Sequence, residues 1–133
     1  FVVKGVLSAR DAYACAEIGA AGIVVSHHAG RMDYAVPPLM VLSDIRKEVG
    51  DKMPVFVDCG ILSGMDAYKA LALGAPAVSV GKHLIPYIRS GGAEAVADRI
   101  REMTAELKGV MAFTGVRDMA GFDSSVLHLR TFG

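Results

Sequence analysis

Short β-branched runs alternate with longer amphipathic stretches along the whole chain. Residues 1–4, 22–26, 55–58 and 77–80 are brief, rich in Val and Ile, and close on a polar residue or just before one, which predicts four strands. Around them, apolar positions recur at three- and four-residue spacing over 8–18, 39–49, 64–73 and 92–112, which predicts four helices. In the last of these, Val96, Ile100, Met103, Leu107, Val110 and Met111 form one stripe, with Asp98, Arg101, Glu102 and Lys108 off it.

The pattern also repeats. Leu7 matches Leu62, Ser8 matches Ser63, Asp11 matches Asp66, Tyr13 matches Tyr68 and Gly19 matches Gly74, a constant step of 55 residues. Each copy opens with a Ser at a helix N-cap and an acid three residues on, a capping-box pattern in which Asp reaches back less well than Glu. Each helix then ends at a Gly that tolerates positive φ, and a strand follows.

The order β-α-β-α-β-α-β-α, with strands apolar on both faces, predicts a parallel sheet covered by helices through right-handed crossovers. Two architectures carry that order: an open doubly wound sheet, or half of a (β/α)8 TIM barrel. A Rossmann sheet is expected to show GxGxxG after its first strand, and the chain has no such run. The repeat favours the barrel. Four strands cannot close one, and the chain opens on Phe1-Val-Val-Lys, already inside a strand. The expectation is therefore a single-domain fragment over residues 1–133, the last four βα units of a TIM barrel.

Composition narrows the function. The 133 residues carry 14 Lys+Arg against 14 Asp+Glu, a net charge of zero, which gives no electrostatic footprint for nucleic acid or an anionic membrane. At 53% hydrophobic and 21% charged the chain can bury a core, yet its apolar runs fall far short of the roughly 20 residues of a bilayer span. Cys15 and Cys59 form neither a disulfide framework nor a CxxC pair, which fits a reducing cytoplasm. A cytoplasmic protein is expected.

In parallel α/β folds the working residues sit at the carboxyl ends of the strands. Those ends read Lys4-Gly, Ser26-His-His-Ala-Gly-Arg, Asp58-Cys-Gly and Gly81-Lys. Lys4 could stabilise negative charge developing in a barrel mouth; the alternative is a snorkelling Lys beside a chain end. His28 suits proton abstraction near neutral pH, and Arg31 offers a planar fork for a carboxylate. Together they describe a base acting on a carboxylate-bearing substrate; the alternative is a capped turn with a surface Arg. His27 beside His28 raises zinc, but adjacent side chains diverge and no third ligand has recognisable spacing, so no metal is expected. Asp58 can accept hydrogen bonds from ligand hydroxyls, or can be satisfied by nearby backbone. Cys59 reads as a small buried hydrophobe. Gly81-Lys82, before a short helical turn, describes a phosphate grip or a helix cap with a solvated Lys. The tail after Gly115, to Gly133, carries no interpretable motif.

The runs Val3-Lys-Gly-Val, Gly22-Ile-Val-Val-Ser-His-His-Ala-Gly-Arg, Val55-Phe-Val-Asp-Cys-Gly-Ile, Asp66-Ala-Tyr-Lys-Ala-Leu-Ala-Leu-Gly-Ala and Val78-Ser-Val-Gly-Lys resemble the FMN-dependent α-hydroxy acid oxidase and dehydrogenase family, which includes lactate and glycolate oxidases. The resemblance runs from Lys4 to about Gly115. It implies FMN as cofactor, a small 2-hydroxy acid as substrate, no membrane or nucleic-acid partner, and a homo-oligomeric full-length protein. By position, Lys4 would contact the flavin ring, His28 would be the base and Arg31 the carboxylate clamp. Ser26 would lie beside the site, Asp58 would bind the ribityl hydroxyls, and Gly60, Gly81 and Lys82 would surround the phosphate.

Departures from the family pattern are concentrated in the same loops. His27 stands where the family has Asn, Ala29 where it has Gly, Leu62 where an Arg helps hold phosphate, and Lys82 where a second Arg is usual. Ser63 and the N–H groups at the following helix start are the available compensation. Two alternatives stand beside the oxidoreductase: a non-redox FMN barrel enzyme resembling type 2 isopentenyl diphosphate isomerases, which would not need Arg31, and an inactive half-barrel exposing two sheet edges.

Overall fold

The structure is a computed structural model and describes residues 1–128; residues 129–133, the end of the motif-free tail, lie outside it. Three strands, β1 (Val2–Val6), β2 (Gly22–Val25) and β3 (Val55–Val57), form a parallel sheet in the order β1-β2-β3. Helices α1 (Ala9–Glu17), α2 (Pro38–Val49), α3 (Gly64–Ala72) and α4 (Ile85–Thr114) alternate with them and follow them.

Both halves of the sequence repeat start their helices alike. Ser8 accepts a hydrogen bond from the Asp11 N–H at 3.1 Å and Ser63 from the Asp66 N–H at 3.2 Å, which satisfies an N–H left without an intrahelical partner. The second copy adds a return bond: Asp66 Oδ2 accepts from the Leu62 N–H at 3.1 Å and from Ser63 Oγ at 2.8 Å.

Alternation along the strands decides the core. Ile23, Val25, Val55 and Val57 point one way and are fully buried with Ala12, Cys15, Leu42, Ile45 and Val49, the last three at helical spacing on α2. Burying side chains such as Ile23, Leu42 and Ile45 contributes about 1.5–3 kcal/mol each. Val24 and Phe56 point the other way and are only half-buried, so one face of the sheet is sealed and the other is open to the extent of those residues. Covering on both faces, expected from the apolar runs, is not found among the described residues.

Two further expectations change. Residues 77–80 do not form a strand: Val78 makes one parallel bridge to Val57, with the Ser79 N–H donating to the Val57 carbonyl at 2.9 Å. β3 is three residues long, and Pro76 brings no N–H to the run, so a longer ladder has little to pair with. The last helix follows a break at Gly91 and Gly92, close to its expected start, and is preceded by a short helical segment from Ile85 that the pattern did not predict; the two together are α4. Its apolar stripe packs on α3 through the buried Met103, whereas Ile100 is 41% exposed.

The segment after α4 folds back onto α3. Tyr68 is buried, its hydroxyl donates to Thr114 Oγ1 at 2.9 Å, and its ring packs against Phe122 at 5.2 Å. A buried phenol with its hydroxyl satisfied contributes apolar area without stranding a polar atom.

Candidate functional site

The carboxyl ends of the strands open into one cleft of about 540 Å³. Lys4, His28, Arg31, Asp58, Gly60, Gly81 and Lys82 all line it, joined by His27, Cys59, Leu62 and His83. Seven of the eight residues singled out from the sequence thus meet in one place. The eighth, Ser26, is 1% exposed and lies beneath the loop, where its Oγ accepts from the His28 N–H at 3.1 Å.

Lys4 reaches the cleft through an irregularity in β1. The β1–β2 register shifts between Lys4 and Val6, and Gly5 in between has φ 101°. Such bulges re-aim side chains at strand ends. A Cβ on Gly5 would lie 3.0 Å from His28 Cε1, so the absence of a side chain there makes room for the His28 ring. Lys4 Nζ donates to Asp58 Oδ2, closing an ion pair over the end of β2.

The loop after β2 is conformationally demanding. His28, Ala29 and Gly30 are consecutive left-handed residues at φ 53°, 58° and 82°, a region that non-glycine residues enter at about 1–2 kcal/mol each. His28 and Arg31 are exposed and face the same cleft, and Arg31 makes no hydrogen bond to another described residue. This leaves its guanidinium available to an anion.

At the end of β3, partial burial pushes the Asp58 carboxyl up. Hydrogen bonds from Lys4, Ser26 and Cys59 and the Lys4 charge outweigh that and hold it below the ordinary carboxylate value. Asp58 is thereby kept anionic. Cys59 is not the buried hydrophobe expected from the sequence. It is half-buried, has φ 64°, and its thiol donates to Asp58 Oδ1 at 3.0 Å while accepting from the Ala29 N–H at 3.2 Å. Left-handed backbone at Cys59 turns the thiol back toward the loop, and nothing in one-dimensional spacing signals that.

The far end holds Gly60, Gly81 and Lys82. An added Cβ at either glycine would meet no atom within 4 Å, so open space lies beside both backbones. Lys82 begins a short 3-10 turn, Lys82–Leu84, and its ammonium makes no hydrogen bond to another described residue. The compensation expected at the start of α3 is already engaged: the Leu62 N–H and Ser63 Oγ donate to Asp66, and the Gly64 N–H donates to Glu106 Oε2 at 2.6 Å. The bond from Gly64 comes first among the influences that lower the Glu106 carboxyl, so it is anionic there.

His83 and Arg99 belong to this end and were not among the expected residues. Arg99 Nε donates to His83 Nε2 at 3.2 Å and Arg99 Nη2 to the Leu62 carbonyl at 2.8 Å, so α4 grips both sides of the far end. His83 directly follows Gly81-Lys82, an adjacency that could have flagged it. Arg99 lies 37 residues from Leu62, and only the packing of α4 on α3 brings them together. Among the described residues, no group of three or more His, Cys, Asp or Glu could hold a metal ion, and no helix is long and apolar enough to cross a membrane.

Known proteins resemble this chain in sequence and fold. The family model for FMN-dependent dehydrogenases matches residues 1–129. An L-lactate dehydrogenase of Caulobacter sp. (strain K31) is 39% identical over 127 residues, covering 95% of this chain and 33% of that protein. Spinach (Spinacia oleracea) glycolate oxidase is 38% identical over 119 residues, covering 89% and 32%. A soluble mutant of the membrane-associated (S)-mandelate dehydrogenase from Pseudomonas putida superposes with a TM-score of 0.87 at 35% identity, covering 92% of this chain and 35% of that one. The chain spans about a third of the length of the curated relatives it matches. With its whole described length inside the family match and the strand-end residues gathered in one cleft, the chain belongs to the FMN-dependent dehydrogenase family.

Proposed function

We propose that this chain is the C-terminal half of an FMN-binding (β/α)8 barrel, three βα units and a fourth whose strand position, residues 77–80, makes a single bridge to β3. Its whole protein oxidises a small 2-hydroxy acid, of the lactate or glycolate kind, to the 2-oxo acid. The observation that carries this reading is the meeting of His28 and Arg31 with Lys4 and Asp58 in one cleft, from the ends of three neighbouring parallel strands. The relatives' names, L-lactate dehydrogenase and glycolate oxidase, support the substrate class. The half-open sheet face at Val24 and Phe56 supports the half-barrel.

The residues present fit FMN. Asp58 is held anionic and, with about four lone-pair positions on its carboxylate, has capacity for ligand hydroxyls beyond Lys4 and Cys59. The open space at Gly60 and Gly81 beside Lys82, whose ammonium has no partner among the described residues, suits a phosphate. Lys4 supplies positive charge for the flavin ring. When bound, FMN supplies the two-electron acceptor.

The chain's own groups do the rest. Arg31 holds the substrate carboxylate with two parallel hydrogen bonds and so fixes the carbon bearing the hydroxyl. His28, seated against Gly5, receives the substrate proton on its imidazole. Ser26 fixes the backbone of His28 from below.

The test is the anaerobic visible spectrum of the full-length protein loaded with FMN, before and after L-lactate or glycolate. Bleaching of the oxidised flavin band that vanishes in His28→Ala is expected. A flavin that binds yet stays oxidised with every 2-hydroxy acid overturns the reading and favours a non-redox FMN enzyme.

A further inference from the structure

Three successive backbone N–H groups in the loop after β2 are each taken by a different side chain. Ser26 Oγ accepts from His28 at 3.1 Å, Cys59 Sγ from Ala29 at 3.2 Å, and His27 Nδ1 from Gly30 at 3.0 Å. These three residues are consecutive and left-handed. Strained backbone of this kind persists only where its surroundings over-determine it, and here each strained residue has its own acceptor.

From this we infer that Cys59 and His27 are positioning residues for His28: they lock the loop that presents the imidazole. The inference rests on the reading of His28 as the base. Two features carry it beyond Ser26. The Cys59 thiol is itself fixed, because it donates to Asp58 Oδ1 at 3.0 Å while Lys4 holds the other carboxylate oxygen. A continuous set of hydrogen bonds therefore runs from Lys4 on β1, through Asp58 and Cys59 after β3, to the Ala29 amide. His27 acts differently: accepting at Nδ1 places its ring proton on Nε2 and ties the ring to its own loop. The bond to Ser26 Oγ is partly buried, whereas those of Ala29 and Gly30 lie at the cleft surface, where the side-chain acceptors compete with water for the same donors.

Ala29, His27 and Cys59 then form one unit. An alanine in left-handed backbone needs outside support, and the thiol supplies it at that residue's own N–H. The sequence departures at His27 and Ala29 are explained together, as a rigid loop built from side-chain acceptors.

The experiment compares Cys59→Ala and Cys59→Ser with wild type in the full-length, FMN-loaded protein, by hydrogen exchange of the amides at residues 28–30 and by kinetics on L-lactate or glycolate. Cys59→Ala removes the acceptor and keeps a Cβ. It is expected to speed exchange at Ala29 about tenfold and to lower kcat about tenfold, with KM changed less than twofold because Arg31 is untouched. Cys59→Ser, whose hydroxyl both donates and accepts, restores both. Unchanged Ala29 exchange in Cys59→Ala overturns the inference, and so does faster exchange with kcat unchanged. Faster exchange in a protein whose wild type turns over no 2-hydroxy acid leaves the lock standing and overturns the activity instead. If Cys59→Ala does not fold, His27→Leu makes the same test at the Gly30 amide, with His27→Asn as the restoring variant.

Discussion

Lys4 and Asp58, 54 residues apart in sequence, form an ion pair that ties the end of the first strand to the end of the third across the second. The Asp58 side chain is the more enclosed partner, 15% exposed against 43% for Lys4. The pair does two things at once. It keeps a carboxylate in the cleft, and it holds Lys4 in the cleft that His28 also lines.

The acid limb of the stability profile should report this pair. Partial burial raises the Asp58 carboxyl, but its hydrogen bonds and the Lys4 charge bring it below the ordinary value. A carboxyl depressed in the folded state contributes stability that is present above its unfolded value and lost as the pH falls through the folded one. The expected outcome is that Asp58→Asn flattens the loss of stability below about pH 5. Urea denaturation across a pH series measures it, and an acid slope equal to wild type would show that the pair contributes nothing.

Gly64 lies directly against the backbone of α4. A Cβ there would lie 2.3 Å from the Met103 carbonyl and from the Leu107 N, and 2.6 Å from Glu106 Cβ. All are backbone or a stem atom, so a rotamer change cannot relieve the clash. Gly64→Ala is expected to destabilise by about 3 kcal/mol, at the upper end for overpacking, by prising α4 away. A urea midpoint within error of wild type would mean that the helices separate at little cost.

Much of this was legible in the sequence, and the reasons for the remainder are physical. Ser8 and Ser63 announce their helices because a cap is a local bargain between residues three apart. The strand-end residues were legible because period and topology put them on one edge. Residues 77–80 have the composition of a strand, but a strand exists only through its partner, and β3 offers three residues. The left-handed loop was hidden because Ala29 and Cys59 belong to residue types that seldom adopt it. Arg99 was hidden because its partners, Leu62 and His83, come from other elements.

Ala29 offers a stabilising substitution. At φ 58° its Cβ crowds the following carbonyl, and glycine at this position has no Cβ to strain. The gain is offset in part by the greater freedom of glycine in the unfolded chain. Ala29→Gly is expected to stabilise by about 0.5–1 kcal/mol and to keep the amide bound to Cys59. A lowered thermal midpoint would mean that the alanine methyl makes a packing contact worth more than the strain.

Arg99 is expected to set how well the far end of the cleft holds an anion, because it fixes His83 and Leu62 there. Its side chain is 13% exposed, and its hydrogen bond to Glu102 comes first among the influences that raise it above the usual arginine value against the pull of burial. It stays charged at every working pH. One planar fork reaches the His83 ring, the Leu62 carbonyl, Glu102 at 3.0 Å and Glu106 at 3.2 Å, and Glu106 in turn holds the Gly64 N–H. No lysine can satisfy these acceptors, because an ammonium is a compact point donor on a flexible stem. Arg99→Lys should therefore loosen Leu62 and His83 beside Gly81 and Lys82 without touching His28 or Arg31. Leu62 carries no charge and Lys82 is a point donor, so little else at this end is available to absorb the loss. The expected outcome is a roughly tenfold weaker FMN affinity by flavin-fluorescence titration, with kcat at saturating FMN changed less than twofold. Equal affinity in the variant would mean that α4 shapes the fold and not the far end of the cleft.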